Sequence, residues 1–330
     1  MGGVKIKGIS YVCDGVPAEA VRRDLRAIRR DLHCTTVMLI ASDHAAQVAA
    51  AEAALEAGLD VHLRPDLSGR SRAELLARLA RTAVAAEELR ARHPGRVTLV
   101  LGTELSVTTS GMVPGPGVLV RLRVLIRWGH LFRRRITRKL NALLGEALAT
   151  ARRDFHGPIT YAAGYWEDVD WSAFDLAGVN LYRMGPDPAA YQARLLGLLR
   201  DAGKPVVITE FGCGAHIGAD LRGPGSFMIV NWFANPPRVR DGHVRDERTQ
   251  ARYLSELIEL YDRHGVHGCF VFTFAMRDFP HRPDPRADLD MAGFGLVKTD
   301  PADPGRWTPK AAFHEVARRY TPHATPPDPQ

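Results

Sequence analysis

The sequence has few features of a metal, disulfide or nucleotide-binding protein. Its 330 residues include only four cysteines, which are Cys13, Cys34, Cys213 and Cys269, and no two of them form a C-x-x-C pair. Neither a zinc ribbon nor a disulfide framework is indicated by this spacing. G-x-G-x-x-G and P-loop lysine motifs are also missing. We therefore expect reduced thiols, no metal and no organic cofactor.

Long hydrophobic runs are missing as well. The longest ones, such as Val97 to Leu101 and Cys269 to Met276, are far shorter than the roughly 20 residues needed to cross a bilayer. Residues Met1 to Asp14 lack a hydrophobic region that ends in a small-residue cleavage site. We expect a cytoplasmic protein without a membrane partner.

The composition is that of a globular chain with a modest excess of basic residues. It is 45% hydrophobic and 25% charged, with 44 Lys and Arg against 37 Asp and Glu. The densest basic segment, Arg121 to Lys139, has apolar residues between its arginines at helical spacing. A solvated face of an amphipathic helix explains this pattern more simply than a nucleic-acid or membrane surface does. We do not expect nucleic-acid binding, and the role of this segment and the oligomeric state stay open.

Short apolar runs alternate with helical patterns along the whole chain. This alternation is typical of parallel βαβ units, and eight strands favour a closed (β/α)8 TIM barrel over a doubly wound sheet. No linker interrupts the pattern, so we predict one barrel domain over residues 1–321 and a disordered, proline-rich tail over 322–330. The predicted strands are Val4–Val12, Thr35–Ala41, Asp60–Arg64, Val97–Gly102, Ile159–Ala163, Leu176–Leu181, Val206–Thr209 and Gly268–Phe274.

Two glutamates follow buried strands at the end where barrel enzymes carry their active sites. Strand four ends in Thr103-Glu104 and strand seven ends in Thr209-Glu210. Strands four and seven face each other across the barrel mouth, so both carboxylates can reach one substrate. Such a pair suits glycoside hydrolysis, in which one carboxyl group must arrive protonated and the other ionised.

Four further residues are candidates for the rim of the same pocket. Arg64 ends strand three and could bind a substrate anion, or pair with Asp66 or a catalytic carboxylate. Tyr11 lies near the end of strand one. Trp166 and Trp232 could stack on a sugar face, although loop aromatics pack locally at least as often.

The segment Ile208 to Gly212 resembles the nucleophile strand of the retaining (β/α)8 glycosidases of glycoside hydrolase clan A. The resemblance implies that Glu210 is the nucleophile and Glu104 the acid/base. Most members of the clan have Asn before the acid/base, where this chain has Thr103, but Gly102-Thr103-Glu104 is similar to the form found in the mannanase-like family 113. Members often have an aromatic hydroxyl on strand six, which the segment Asn180-Leu181-Tyr182 would supply through Tyr182.

The chain also resembles actinobacterial proteins labelled "abortive infection protein". This resemblance is carried by Thr209 to Cys213 together with Pro283 to Met291. The label describes no established chemistry and therefore implies no substrate.

We therefore expect a glycosidase that acts on a carbohydrate or glycoside by a retaining double displacement. Two alternatives stay open: a biosynthetic transglycosylase or rearrangement enzyme on the same scaffold, and a non-catalytic barrel that binds carbohydrate or nucleic acid. The sugar, the aglycone, the anomeric selectivity and exo or endo action are not indicated by the sequence.

Overall fold

The computed structural model describes residues 4–303 and 305–321. Eight parallel strands form a closed barrel in which each strand pairs with the next and the last pairs with the first. The predicted (β/α)8 fold is confirmed. The strands are β1 (Ile6–Val12), β2 (Thr36–Ala41), β3 (Asp60–Pro65), β4 (Val97–Thr103), β5 (Ile159–Gly164), β6 (Ala177–Asn180), β7 (Val206–Phe211) and β8 (Gly268–Val271).

Helices surround the barrel, although residues 165–176 between β5 and β6 form none. Two short antiparallel strand pairs lie outside the barrel, Val230–Asn231 with Arg238–Val239 and Val297–Thr299 with Trp307–Pro309. The α-helices in the described residues are α1 (Ala18–Arg30), α2 (His44–Glu56), α3 (Arg72–Arg92), α4 (Leu105–Thr108), α5 (Gly117–Arg152), α6 (Pro188–Asp201), α7 (Ala219–Arg222), α8 (Glu247–Arg263) and α9 (Ala311–Tyr320).

The strands divide their side chains between two apolar layers, because successive residues of a strand point to opposite faces. Val37, Leu39 and Ala41 of β2 belong to the large core between barrel and helices, whereas Met38 and Ile40 belong to a smaller core inside the barrel. The barrel interior is tightly filled. A Cβ at Gly8 would lie 2.4 Å from the Phe270 ring, so only glycine leaves room for that ring.

Helix boundaries follow local capping chemistry. Ser71 and Glu74 form a reciprocal capping box at the start of α3, and the Asp246 side chain accepts a hydrogen bond from the first turn of α8. Helix α5 is much longer than the others: its 36 residues span about 54 Å. It begins at the end of the barrel that carries the C-terminal ends of the strands.

The predicted division into a barrel over 1–321 and a disordered tail stays a prediction, and residues 322–330 lie outside the described residues. No helix in the described part of the chain is long and apolar enough to cross a membrane.

Candidate active site

Glu104 stands at a sharp turn directly after β4. Its backbone is left-handed, with φ 46° and ψ 44°, a conformation that residues other than glycine seldom adopt. The register of β4 against β5 shifts between Val100 and Thr103, just before this turn. A costly backbone conformation at a polar residue of a barrel mouth is a common sign of a functional position.

A bulge in β7 determines where Glu210 points. Ile208 and Phe211 both pack in the outer core, although a regular strand would turn residues three apart to opposite faces. The register against β8 shifts between these residues, and the register against β6 shifts beside Glu210. The extra residue of the bulge lets β7 present its carboxylate at the mouth, whereas plain alternation from Ile208 would turn Glu210 towards the helices.

Asn180 at the end of β6 links the two glutamate-bearing strands. Its amide donates 3.0 Å hydrogen bonds to Thr103 Oγ1 and to Glu104 Oε1, and its carbonyl oxygen accepts a 2.8 Å bond from the Thr209 hydroxyl. Asn180 is also the register partner of Glu210. The side chain of Asn180 thus uses both amide hydrogens and its oxygen to hold the ends of β4 and β7 in one arrangement.

Glu210 is buried among groups that stabilise negative charge. Arg64 Nη1 donates to Glu210 Oε1, and the Tyr182 hydroxyl donates to Oε2 at 3.0 Å. Both carboxylate oxygens therefore have a donor, one of them a buried guanidinium. Of the partners considered for Arg64, the structure shows the carboxylate of Glu210.

Glu104 has the opposite surroundings, and its pKa is raised to about 8. Burial is the largest cause, and the charge of Glu210 is the next, because a second negative charge nearby favours the protonated form. The hydrogen bond from Asn180 lowers this pKa but does not offset the two main effects. At neutral pH the site therefore pairs a protonated Glu104 with a carboxylate that is held by a cation.

Replacing Asn180 with alanine tests this link. The loss of its hydrogen bond is expected to raise the pKa of Glu104 further, so the alkaline limb of the pH profile of kcat/KM moves to higher pH. We expect kcat at pH 7 to fall about tenfold, because the Asn180 amide also stabilises the negative charge that develops on Glu104 as its proton leaves. Asn141→Ala on α5, whose side chain binds residues 137, 168 and 170, is the matched control and should leave the profile unchanged.

The buried Tyr161 of β5 and the half-buried Glu167 that follows this strand support the turn that carries Glu104. Glu167 accepts hydrogen bonds from the Ser106 backbone N–H at 2.8 Å and from the Tyr161 hydroxyl at 2.8 Å. The same Tyr161 oxygen accepts from the backbone N–H of Leu105 at 2.6 Å. Tyr161 was not found by sequence reasoning, because a tyrosine inside a strand gives no sign of such a contact.

For three rim candidates, the contacts among the described residues are with other groups than the two glutamates. Tyr11 is fully buried in the layer between barrel and helices, and its hydroxyl donates to Asp24 of α1 at 2.9 Å. Its place in β1 explains this, because Tyr11 shares a face with Ile9, which points to the helices. This placement corrects the expectation that Tyr11 lies at the rim.

The two tryptophans make local contacts. Trp166 donates from Nε1 to Ser106 Oγ at 3.1 Å and packs beside α5 against Val107 and Ile136. Trp232 lies edge-on to Phe279 with ring centroids 5.4 Å apart, and 46% of it is exposed. These contacts indicate that Trp166 packs locally. Trp232 packs against one ring but leaves nearly half of its side chain exposed to solvent.

One group of potential metal ligands lies outside the mouth. His281, Asp288 and Asp290 are close together, but Arg245 donates to both aspartates at 2.8 Å and Lys310 donates to Asp290 at 3.2 Å. His281 Nδ1 lies 2.9 Å from the remaining oxygen of Asp288. Each carboxylate oxygen is thus already engaged, so we assign this group as an ion-pair network that fixes the loop after β8.

No protein-family model matches the chain, and no curated protein matches it by sequence. Solved structures do match it. A complex of a GH113 beta-1,4-mannanase aligns over 97% of this chain and 100% of its own, with a TM-score of 0.64 and 16% identity. The GH113 beta-mannanase AaManA from Alicyclobacillus acidocaldarius, in complex with ManMIm, aligns over 97% of this chain and 98% of its own, with a TM-score of 0.63 and 16% identity.

A third match has a different specificity. The b-glucuronidase from Ruminococcus gnavus aligns over 96% of this chain but 50% of its own, with a TM-score of 0.59 and 18% identity. At such identities the matches show the fold alone, and that fold is one used by glycoside hydrolases. They give no support to the resemblance to proteins labelled "abortive infection protein".

Proposed function

We propose that this chain is a retaining glycoside hydrolase in which Glu210 is the nucleophile and Glu104 the acid/base. One observation carries the proposal: two glutamates at the ends of β4 and β7 are coupled electrostatically but have opposite surroundings. Glu104, with a pKa of about 8, holds a proton at neutral pH, and Glu210 is paired with Arg64 and Tyr182. A proton donor beside an ionised carboxylate is what the first displacement requires.

In the first step a carboxylate oxygen of Glu210 attacks the anomeric carbon. The bond between that carbon and the leaving oxygen breaks, and the proton of Glu104 passes to the leaving oxygen. The product is a glycosyl ester on Glu210, which carries no negative charge. The negative charge of Glu210, which is the second largest cause of the raised pKa of Glu104, is then gone. Glu104 has given up its proton and is now an ionised base.

In the second step water attacks the anomeric carbon and gives a proton to Glu104. The ester bond breaks, and Glu210 regains its charge beside Arg64. Arg64 and Tyr182 act on the nucleophile by orienting it and by stabilising the returning charge. Asn180 is a positioning residue for Glu104.

The substrate class that we propose is a carbohydrate or glycoside, in line with the mannanase and glucuronidase activities named for the structural neighbours. Hydrolysis and transfer to a second sugar share the first step and differ in what attacks the ester. A panel of aryl glycosides incubated in ¹⁸O-labelled water separates the two outcomes. Hydrolysis puts one labelled oxygen on the anomeric carbon, and transfer puts none; release of no aglycone from any sugar of the panel, including mannosides and glucuronides, would count against both.

The pH dependence of the hydrolysis follows from the same pKa. Above about pH 8 the free enzyme loses the proton of Glu104, so kcat/KM should fall about tenfold per pH unit for substrates that need protonation of the leaving group. An activated aryl glycoside whose leaving group needs no proton should show a much weaker alkaline limb. An equal limb for both substrates would contradict the assignment of Glu104 as the acid.

A further inference from the structure

The first half of α5, residues 117–135, combines exposed apolar side chains with arginines, and we call it the arm. Ile126 and Leu131 are 73% and 67% exposed, and Leu119 is 65% exposed. Val118, Val120 and Trp128 are exposed as well. Large apolar side chains that stay exposed in this number on one segment are a sign of an interaction surface.

The charge of the arm has one sign. The sequence contains no Asp or Glu between Glu104 and Glu146, but it contains seven arginines and one lysine there. Arg121 is buried and holds the start of the helix through the carbonyl groups of Val107 and Gly115. Among the described residues, Arg123, Arg127 and Arg134 have no acidic partner, and all three are exposed.

We propose that the arm docks on the surface of a membrane that contains anionic lipids. A helix that lies in the interface needs apolar side chains for the acyl boundary and cations for the headgroups, and the arm offers both along about five turns. Trp128 is of a residue type enriched at this depth. Such docking needs no membrane-spanning helix, so the lack of long apolar runs does not argue against it.

The chemistry of the arm fits lipid better than the other acidic or apolar partners. A nucleic-acid backbone would satisfy the arginines but would leave Leu119, Ile126 and Leu131 in water. A second copy of the chain, paired arm to arm, would cover these side chains but would bring two clusters of unpaired arginines together. Anionic lipid covers the apolar side chains and neutralises the charge in one contact.

A second set of exposed apolar side chains lies at the same end of the barrel, in the loop after β7. Phe233 is 99% exposed, and Met228 and Ile217 are 58% and 62% exposed. Because this loop and the arm both follow C-terminal ends of strands, docking would hold the barrel mouth toward the membrane. The docking itself does not depend on the proposed hydrolysis.

Cosedimentation of the whole chain with vesicles tests the proposal. Vesicles of phosphatidylcholine with 30% phosphatidylglycerol should bind it, and vesicles of phosphatidylcholine alone should bind it at least tenfold more weakly. Because one arginine near an anionic surface is worth about fivefold in binding, Arg123, Arg127 and Arg134 changed together to glutamine should weaken binding on the order of 100-fold. A second variant with Leu119, Ile126 and Leu131 changed to serine should weaken binding by a comparable factor.

The matched control changes Arg22, Arg26 and Arg30, which are exposed on α1, to glutamine and should bind like the native chain. Unchanged thermal unfolding of each variant shows that only the surface has been altered. Failure of the native chain to bind the anionic vesicles would overturn the proposal. If the serine variant binds the anionic vesicles as well as the native chain does, and the glutamine variant loses binding to RNA or DNA, the proposal would be overturned in favour of nucleic acid. A dimer that dissociates in the serine variant would overturn it in favour of a second copy.

Discussion

Glu210→Gln is expected to lower kcat on the order of 10⁵-fold, since the amide cannot attack the anomeric carbon to form an ester. Glutamine has the same shape and still offers an oxygen to Arg64 or Tyr182, so the barrel should keep its fold. Turnover of the best aryl glycoside, measured before and after the change, gives the factor directly. A loss of less than tenfold would remove Glu210 from the chemistry.

The same substitution has a second effect, on stability. The Arg64 side chain is only 6% exposed and loses the negative partner that neutralises it. Leaving one member of a buried ion pair without its partner charge costs about 3 kcal/mol, which urea unfolding at pH 7 can measure. The matched control is Glu256→Gln, which removes the half-exposed partner of Arg183 and should cost less than about 1 kcal/mol.

Glu104→Ala is expected to have the second largest effect, and its size depends on the leaving group. For a substrate with an alkyl or sugar leaving group, kcat should fall about 10³-fold, because nothing protonates the departing oxygen. For an activated aryl glycoside the first step needs no proton, so the ester on Glu210 forms rapidly. The second step is then slow, because no base activates the water molecule.

Azide restores turnover in this variant if the roles are correct. The anion fits into the space left by the missing carboxylate and attacks the ester without needing a base. The product should be a glycosyl azide with the configuration of the substrate, which nuclear magnetic resonance identifies. A glycosyl azide of inverted configuration, or an equal azide effect in Glu210→Gln, would contradict the double displacement.

The barrel could be predicted because its signal is distributed over the whole chain. Eight short apolar runs, such as Thr36–Ala41, are buried on both faces. Each run predicts a strand from its own composition, whatever segments lie beside it in the fold. Glu104 and Glu210 could be selected as candidate site residues from the same strand pattern. Each is the polar residue that ends such a run, and the topology of a parallel barrel then places both at one end.

The orientation of side chains could not be predicted from these runs. The strand of Glu210 was expected to end at Thr209, whereas β7 continues to Phe211 and contains a bulge that reverses the alternation. No local pattern in Ile208 to Phe211 announces that bulge. Alternation places Tyr11 on the same face of β1 as Ile9, but only the structure shows that this face packs in the outer core.

Contacts between residues far apart in the chain could not be predicted from the sequence either. Arg64 pairs with a glutamate 146 positions away, and Tyr161 meets the backbone of Leu105 across 56 positions. A single sequence gives the residue types at these places but not their partners. Three partners were possible for Arg64, and only the structure shows that the partner is Glu210.

Titration of Glu104 in the absence of substrate tests directly whether this carboxyl group keeps its proton beside the carboxylate of Glu210. Carbon-13 resonances of labelled glutamate side chains are recorded from pH 4 to 10. The resonance of Glu104 is the one that disappears in Glu104→Gln. We expect a midpoint near pH 8 that moves to lower pH in Glu210→Gln, since the negative charge of Glu210 is then gone. A midpoint near pH 4.5, the ordinary value for glutamate, that stays in place when Glu210 is replaced would show that Glu104 is not the proton donor.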